Sequence, residues 1–565
     1  LIHGGAAGPG ESTVACEVTR RGRFLVGEPV FEQAAPITLG RGVAADAHPG
    51  DLVAVLTDGR GRGAVREVLG RPDDVGALLH GLAYEAGFAE PFGADALAQG
   101  EAADPGRERT DLRHLMTLTI DPERAKDHDD ALSVEPLDGG TAVWVHIADV
   151  SAFVPTGSPL DLEAQARSTS VYLPGRVDPM LPSVLSNDRC SLQPDRDRPA
   201  VSLQLRPDGS CRIVRSLIRS RHRLSYGQVD AMLERGDGGE PADAVRLLAA
   251  AADALHQRRI AAGAFESGGA ELEPVFAGGR VEAIREVPSG PSHEIVEELM
   301  VAANRRVAEL LTDAGRPAIH RVHEPPSADA AEVLARRLEA LSVPTPAMPV
   351  LHGGTETAAF LAETGRSVDR YVATSGRGRA AFPPLVLRAL ERARYDERSL
   401  GHSGLAARAY CHFTSPIRRY PDLVCHRALL GRLGLVEGPA AVGDMADLAA
   451  HCTEAERAAE RLERRGMAIC LADLLAQTLY DRGQDAVFEG EVVGVIGAGA
   501  FVRFGPGCEG LLPSRAALGE RCELDELGVA LVAPSSGRRL RLGDPVSVAV
   551  GSVDRAGGRI RLLAI

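Results

Sequence analysis

Four aspartates crowd into ten residues of this chain. Asp121, Asp127, Asp129 and Asp130 lie in the segment Thr119-Ile-Asp-Pro-Glu-Arg-Ala-Lys-Asp-His-Asp-Asp-Ala131. The apolar run Leu115 to Ile120 precedes them and Ala131 to Val134 follows, so both flanks read as strands and the loop is anchored at both ends. Carboxylates held this close repel one another and raise each other's pKa. A fold keeps them together when cations neutralise them, and hard divalent cations with oxygen ligands suit aspartate best, Mg²⁺ above all, or Mn²⁺ in its place. Paired cations on aspartates recur in phosphodiester cleavage.

Two simpler readings compete with a catalytic one. An acidic turn is commonly a solvated surface. A calcium loop of the EF-hand kind fails on spacing: counted from Asp121 the sixth position is Lys126, where the turn needs Gly, and counted from Asp127 the fifth is Ala131, where an oxygen ligand is needed. Lys126 is also the single lysine among 63 basic residues. A compact ammonium is not interchangeable with a guanidinium at a crowded site, which makes Lys126 a candidate site residue.

The aspartate segment resembles the signature of the RNase II/RNase R exoribonucleases, the RNB-domain family. The resemblance continues through His146-Ile-Ala-Asp-Val-Ser151, Thr169-Ser-Val-Tyr-Leu-Pro174, Pro179-Met-Leu-Pro182, His320-Arg-Val-His-Glu-Pro325 and His402-Ser-Gly-Leu405. It ends with His412-Phe-Thr-Ser-Pro-Ile-Arg-Arg-Tyr420 and His426-Arg427. One such block is weak; several in the family's order over roughly 300 residues are specific.

The resemblance implies an α+β fold: an RNB catalytic domain of mixed sheet and packed helices, flanked by small OB-fold barrels. Short apolar runs at Thr13 to Val18, Arg23 to Val26, Leu52 to Leu56 and Ala64 to Leu69 read as strands of a barrel in residues 1–72. The family holds cold-shock-like OB folds there, usually two; one fits here. Residues 73–107 read as a helical linker, with Leu78, Leu79, Leu82 and Ala86 at helical spacing. The catalytic domain is expected over 108–482, with helices over 293–312, 328–341 and 443–480. Residues 486–565 read as a second five-stranded barrel, similar to the RNA-binding module of the ribosomal-protein S-one type.

The resemblance also implies roles. Asp121, Asp127, Asp129 and Asp130 would hold divalent metal at the scissile phosphate, with Asp129 and Asp130 among the catalytic residues. Arg418 would clamp that phosphate with its fork of donors. Tyr172 would stack on a base near the 3′ end, which tolerates any base. Arg418 and Arg419 lie in an arginine-rich stretch from Arg408 to Arg432 whose sole acid is Asp422, a patch suited to a phosphate backbone. The family's second base-sandwiching aromatic falls where Phe265 stands alone, between Ala264 and Glu273. Phe501 and Phe504 are candidates for stacking in the C-terminal barrel; three apart on one strand, they face opposite ways, so one is core. Glu460 and Glu463 share a helix face where the family supplies a glutamate, and Glu463 is kept as a candidate. His146 and Asp149 are expected to support the sheet.

Composition bounds the rest. A net charge of −15 argues against nonspecific nucleic-acid binding over the whole surface but leaves room for a local basic channel. The nine cysteines form no Cys-x-x-Cys pair, so zinc and a disulfide framework are not expected and a reducing cytoplasm is. No apolar run is long enough to span a membrane. The chain opens at Leu1 without a charged and apolar leader, so no secretory signal is expected, and a start other than Met leaves room for missing N-terminal residues. The expected function is processive 3′-to-5′ hydrolysis of single-stranded RNA to nucleoside 5′-monophosphates by a cytoplasmic monomer. The alternative is a catalytically silent RNA-binding regulator on the same scaffold.

Overall fold

The computed structural model describes residues 12–32, 34–40, 47–58, 61–106, 108–236, 239–265, 270–349 and 353–565. Residues 1–11 of the expected N-terminal unit and 266–269 beside Phe265 lie outside them.

The N-terminal strands Ser12–Arg21, Phe24–Pro29, Ile37–Leu39, Leu52–Thr57 and Arg62–Gly70 close into a barrel. Four of the five are legible as apolar runs. Ile37–Leu39 is three residues long, too short to show a period. Two helices follow, Val75–Glu85 and Ala94–Ala102, where the sequence suggested one continuous helical stretch. The first is capped by Asp74, whose carboxylate accepts from the amides of Gly76 and Ala77.

The central sheet carries Thr117–Asp121, Asp130–Leu137, Gly140–Ala148, Asp197–Leu205 and Cys211–Ser225. Each pairs with the next, and Cys211–Ser225 returns to pair in parallel with Thr117–Asp121, so the sheet closes on itself. Inside it runs a buried polar chain. Thr117 Oγ1 meets Ser133 Oγ at 2.8 Å, Ser133 meets His146 Nε2 at 2.9 Å, and His146 Nδ1 meets Ser202 Oγ at 2.6 Å. Burial pushes His146 down to about 3, so it stays neutral. Asp149 is fully buried between Arg109 and Arg215, each 2.8 Å away. Both residues support the sheet, as expected. Leu118, Ile120, Leu132, Val145 and Ile147 face the helices Glu240–Ala261 and Pro291–Asp313 in one apolar core.

The 38-residue helix Met445–Arg482 connects the parts. Its Leu471, Leu475 and Leu479 share a core with Val492, Val502 and Phe504 of the C-terminal barrel. That barrel closes through Val487–Ile496, Gly499–Phe504, Cys508–Pro513, Pro545–Asp554 and Arg559–Ala564. A three-stranded sheet spanning Glu523 to Arg541, unforeseen from the sequence, is inserted before its fourth strand. All nine cysteines are free thiols.

Asp473, on this helix, fastens three elements. Its buried carboxylate accepts from Arg280 Nε at 3.2 Å, Val281 N at 3.1 Å and Gln477 Nε2 at 2.9 Å, and from Arg555 of the barrel. Arg555 also donates to the carbonyl of Asp73, next to the N-terminal barrel. Removing the carboxylate strands two guanidiniums at the junction. Asp473→Ala is expected to cost about 3 kcal/mol of stability and to lower the Tm by several degrees. Limited proteolysis should then release the C-terminal barrel first; an unchanged melting curve would mean that the junction contributes nothing.

Candidate active site

Strand register builds the acidic centre. Asp121 is the last residue of its strand and Asp130 the first of the next, in an antiparallel pair joined through Leu118 and Leu132. Both carboxylates therefore lie at one edge of the sheet. The loop between them is tied down by its backbone. Ser191 Oγ accepts from His128 N at 3.0 Å and donates to the Lys126 carbonyl at 2.7 Å. Ala148 N donates to the Asp129 carbonyl at 2.9 Å and Leu192 N to the His128 carbonyl at 3.0 Å. Arg223 donates to the carbonyls of Pro122, Glu123 and Ala125.

Asp129 is the deepest of the four, 4% exposed. Its Oδ1 accepts from the amide of Ile417 at 2.8 Å. Its Oδ2 is buried, accepts no hydrogen bond, and lies 3.5 Å from Arg418 Nε. A buried carboxylate oxygen with open lone pairs beside three more aspartates is a set of hard oxygen donors, and it fits a divalent cation. Burial pushes Asp129 well above the usual carboxylate range. Burial and then the charge of Asp121 push Asp130 up to about 7. Among the described residues no three acidic, His or Cys side chains already converge on one point. Two of the four aspartates are turned aside: Asp121 meets His128 Nδ1 at 2.8 Å, and Asp127 accepts from the Tyr172 hydroxyl at 2.7 Å.

Tyr172 lies on the short hairpin Val171–Leu173 with Arg176–Asp178, partly exposed beside the acidic loop. Its amide donates to Glu463 of the long helix at 2.8 Å. The helix can come this close because Gly466 faces the hairpin; a Cβ there would lie 2.7 Å from Leu173 Cδ2. Glu463 is thus brought to the site, and its contact is with the backbone of Tyr172.

Several sequence expectations take a different form. The arginine stretch is not a patch. Arg419 forms a two-pronged pair with buried Asp422 at 2.9 and 2.8 Å, Arg427 pairs with buried Asp161 at 2.7 Å, and Arg408 pairs with Asp313 at 3.1 Å. Buried guanidiniums need partners, so the charges of Arg419 and Arg427 are spent inside the fold, while Arg408 pairs at the surface. Arg419 braces the Ser415–Arg418 turn, because Asp422 also accepts the Ser415 amide at 2.8 Å. Of these arginines, Arg418 presents its guanidinium to Asp129. Lys126 is exposed rather than crowded, and the contact it makes is through its carbonyl. Phe265 packs against helix Gly354–Ser375 over Gly365 and makes no ring contact with Tyr172. Of the barrel pair, Phe504 is core and Phe501 lines an open cleft.

Sequence reading missed Tyr226. It follows Ser225, which pairs with Asp121 across the sheet. Burial and then the charges of Asp130 and Asp121 push its hydroxyl up, which places it beside the carboxylates. His293 stacks on its ring at 3.8 Å and 12°. The single available signal was Tyr-Gly-Gln-Val at a strand-to-helix junction, which is silent without the strand register.

A closed mixed sheet bearing this acidic edge, with an OB-type barrel on either side, defines a class, and the comparisons give it a family. Residues 109–433 match the RNB domain and residues 483–564 the S1 RNA binding domain. The chain belongs to the RNB-domain family. It is 33% identical over 530 residues to Ribonuclease R of Thermotoga maritima, covering 89% of this chain and 72% of that relative. It is 33% identical over 533 residues to Ribonuclease R of Escherichia coli, covering 89% of this chain and 62% of the relative. The chain thus spans about three fifths of the length of the latter. Among solved structures, Mycoplasma genitalium RNase R in complex with ribose methylated single-stranded RNA superposes with a TM-score of 0.84 at 22% identity, covering 98% of this chain and 89% of that one. Yeast Ssd1, a pseudonuclease, superposes with a TM-score of 0.63 at 18% identity, covering 93% and 68%. These likenesses carry the fold.

The acidic centre makes a pH prediction. Asp129 and Asp130 have folded pKa values above those of the unfolded chain, so the folded state keeps protons that the unfolded state has released. Their contribution is most favourable at low pH and is lost as pH rises toward about 7. A cation can take the place of those protons. Mg²⁺ should therefore raise the Tm by several degrees at about pH 8 and by much less at about pH 5.5. Asp130→Asn should remove most of that difference. Thermal unfolding with Mg²⁺ or EDTA across a pH series reads it, and a Mg²⁺ effect independent of pH would contradict the site.

Proposed function

We propose that this chain is a processive, divalent-metal-dependent 3′-to-5′ exoribonuclease that releases nucleoside 5′-monophosphates from single-stranded RNA. The observation that carries the reading is convergence. Residues from four distant segments meet at one edge of the sheet: the Asp121–Asp130 loop, Tyr172 hydrogen-bonded to Asp127, Arg418 beside Asp129, and Glu463 behind Tyr172. Direction and product are proposed from the family and from relatives named Ribonuclease R. Mg²⁺ is the proposed ion, and Mn²⁺ would serve in its place.

On this reading Asp121, Asp127, Asp129 and Asp130 would hold the cation. When bound, it supplies positive charge to the scissile phosphate and acidifies the attacking water. Arg418 adds a fixed charge whose fork matches two phosphate oxygens as their negative charge grows in the transition state. Ser415 orients it by accepting from its Nη2 at 3.1 Å. Tyr172 offers a face for a base, and Glu463 holds the backbone that carries that face. Phe501 lies in a cleft of about 990 Å³ between the C-terminal barrel and the long helix, with Arg464, Arg503 and Arg561 around it. A strand could stack there on its way to the centre. No described helix is long and apolar enough to cross a membrane. A cytoplasmic monomer is proposed.

The silent-regulator reading draws on the likeness to a pseudonuclease. A missing aspartate would favour it, and all four are present.

The deciding experiment incubates 5′-labelled single-stranded RNA with the protein and Mg²⁺ and sizes the products. A short labelled limit product without a ladder of long intermediates is expected. Asp129→Asn should abolish it while RNA binding persists, because an asparagine Oδ1 still accepts the Ile417 amide but the ligand charge is gone. Near-normal turnover in that variant would remove Asp129 from the metal site. Phe501→Ala should weaken binding of a long single strand about tenfold without altering the slope of affinity against salt, since stacking releases no counterions. An unchanged affinity would leave that cleft out of the RNA path.

A further inference from the structure

A second cavity lies where the helices that pack on the sheet meet the ends of strands Gly140–Ala148 and Asp197–Leu205 farthest from the acidic edge. It occupies about 520 Å³ between helices Glu240–Ala261 and Pro291–Asp313 and the turn from Arg206 to Ser210. Val143, Leu205, Leu255 and Leu299 supply apolar lining. Five arginines border it, Arg206, Arg258, Arg259, Arg305 and Arg306, against two glutamates, Glu298 and Glu309.

The internal pairs use up only part of that charge. Arg259 is committed to buried Glu298, with Nε at 3.0 Å, and also meets Glu297 at 3.5 Å. Arg305 and Arg306 share the single carboxylate of Glu309 at 3.1 and 3.4 Å. Arg206 and Arg258 have no acidic partner among the described residues. With Glu297 counted beside the two lining glutamates, the rim carries a surplus of two positive charges in a chain whose net charge is −15. A positive pocket against a negative global field concentrates anions locally, and an apolar floor under a cationic rim selects an anion with a flat apolar body.

We infer that this cavity binds a nucleoside monophosphate, the base against the apolar floor and the phosphate on Arg258 and Arg305. The choice of a nucleotide over other amphiphilic anions rests on the proposed activity, whose product is of this class. Bound there, away from the acidic centre, the product would report on turnover without occupying the site that makes it.

The test is equilibrium binding of AMP and UMP to the full chain carrying Asp129→Asn, in EDTA, read by calorimetry. The expected result is one site per chain. Arg258→Glu should weaken it about tenfold, and the double variant Arg258→Glu with Arg305→Glu more. Adenosine and inorganic phosphate should each bind at least about tenfold more weakly than AMP, because each fills half of the cavity's chemistry. Leu255→Trp, which fills the floor without touching the rim charges, should also abolish binding. Equal affinity in parent and rim variants, or no binding at millimolar AMP, overturns the inference. So does a short RNA oligonucleotide that binds with Arg258 dependence where AMP does not. RNA degradation by the parent is measured separately. A chain that degrades RNA and does not bind AMP loses the pocket alone; one that binds AMP through Arg258 and does not degrade RNA loses only the exonuclease reading.

Discussion

Like charges do not stay together unless something else holds the backbone that bears them. Here the holding contact is between Asp129 Oδ1 and the amide of Ile417, 2.8 Å apart and 288 residues distant in sequence. It ties the acidic loop to the turn that carries Arg418. The turn is itself stiffened by Arg419 and Asp422, and the loop by Ser191 and Arg223. Each of these contacts makes the next possible. Without the staked loop, four carboxylates would swing apart; without the Arg419–Asp422 pair, Arg418 would have no fixed direction. The net result is a strongly anionic centre, partly protonated near neutrality, and so receptive to a cation.

The long helix carries that organisation outward. Its middle presents Glu463 to Tyr172, its later turns hold Asp473 at the junction, and Leu471 to Leu479 seal the C-terminal barrel. The barrel is therefore not an appendage on a linker. Cutting it away near residue 486 would bare an apolar face on the same helix that, about two turns earlier, supports Tyr172 through Glu463. Side-chain changes such as Phe501→Ala separate binding from folding better than deletion does.

The sequence disclosed those features whose chemistry is local. The aspartate loop, the Arg418 turn and the two barrels are each contained in a short run, and a run of residues is what a sequence shows. It misjudged features whose meaning lies in their partners. Arg419 and Arg427 looked like phosphate contacts because Asp422 is the one acid in their stretch, yet Asp422 is taken up by Arg419 and Asp161 reaches Arg427 from 266 residues away. Phe501 and Phe504 were separable in principle by strand parity, but which face was core depended on the long helix. Glu463 was found at its helix address, while its task, holding an amide of Tyr172, could not be read from helical spacing. Tyr226 escaped because the strand pairing of Ser225 with Asp121 links segments a hundred residues apart.

Pairing of the arginines also shapes how such a protein would hold RNA. A net charge of −15 opposes long-range attraction to a polyanion over the surface as a whole. The guanidiniums near the centre are mostly neutralised by buried carboxylates, so few remain to release counterions. Grip on the strand near the centre would then rest on stacking at Tyr172 and on the clamp at Arg418, with Phe501 and the arginines of its cleft farther out. Stacking is indifferent to base identity and does not need a rigid register along the backbone. On the proposed reading, that combination would let a strand advance by one nucleotide after each cut, because no set of phosphate contacts would have to be broken at once. A protein that bound the same strand through many arginines would hold it more tightly at low salt and move along it less readily.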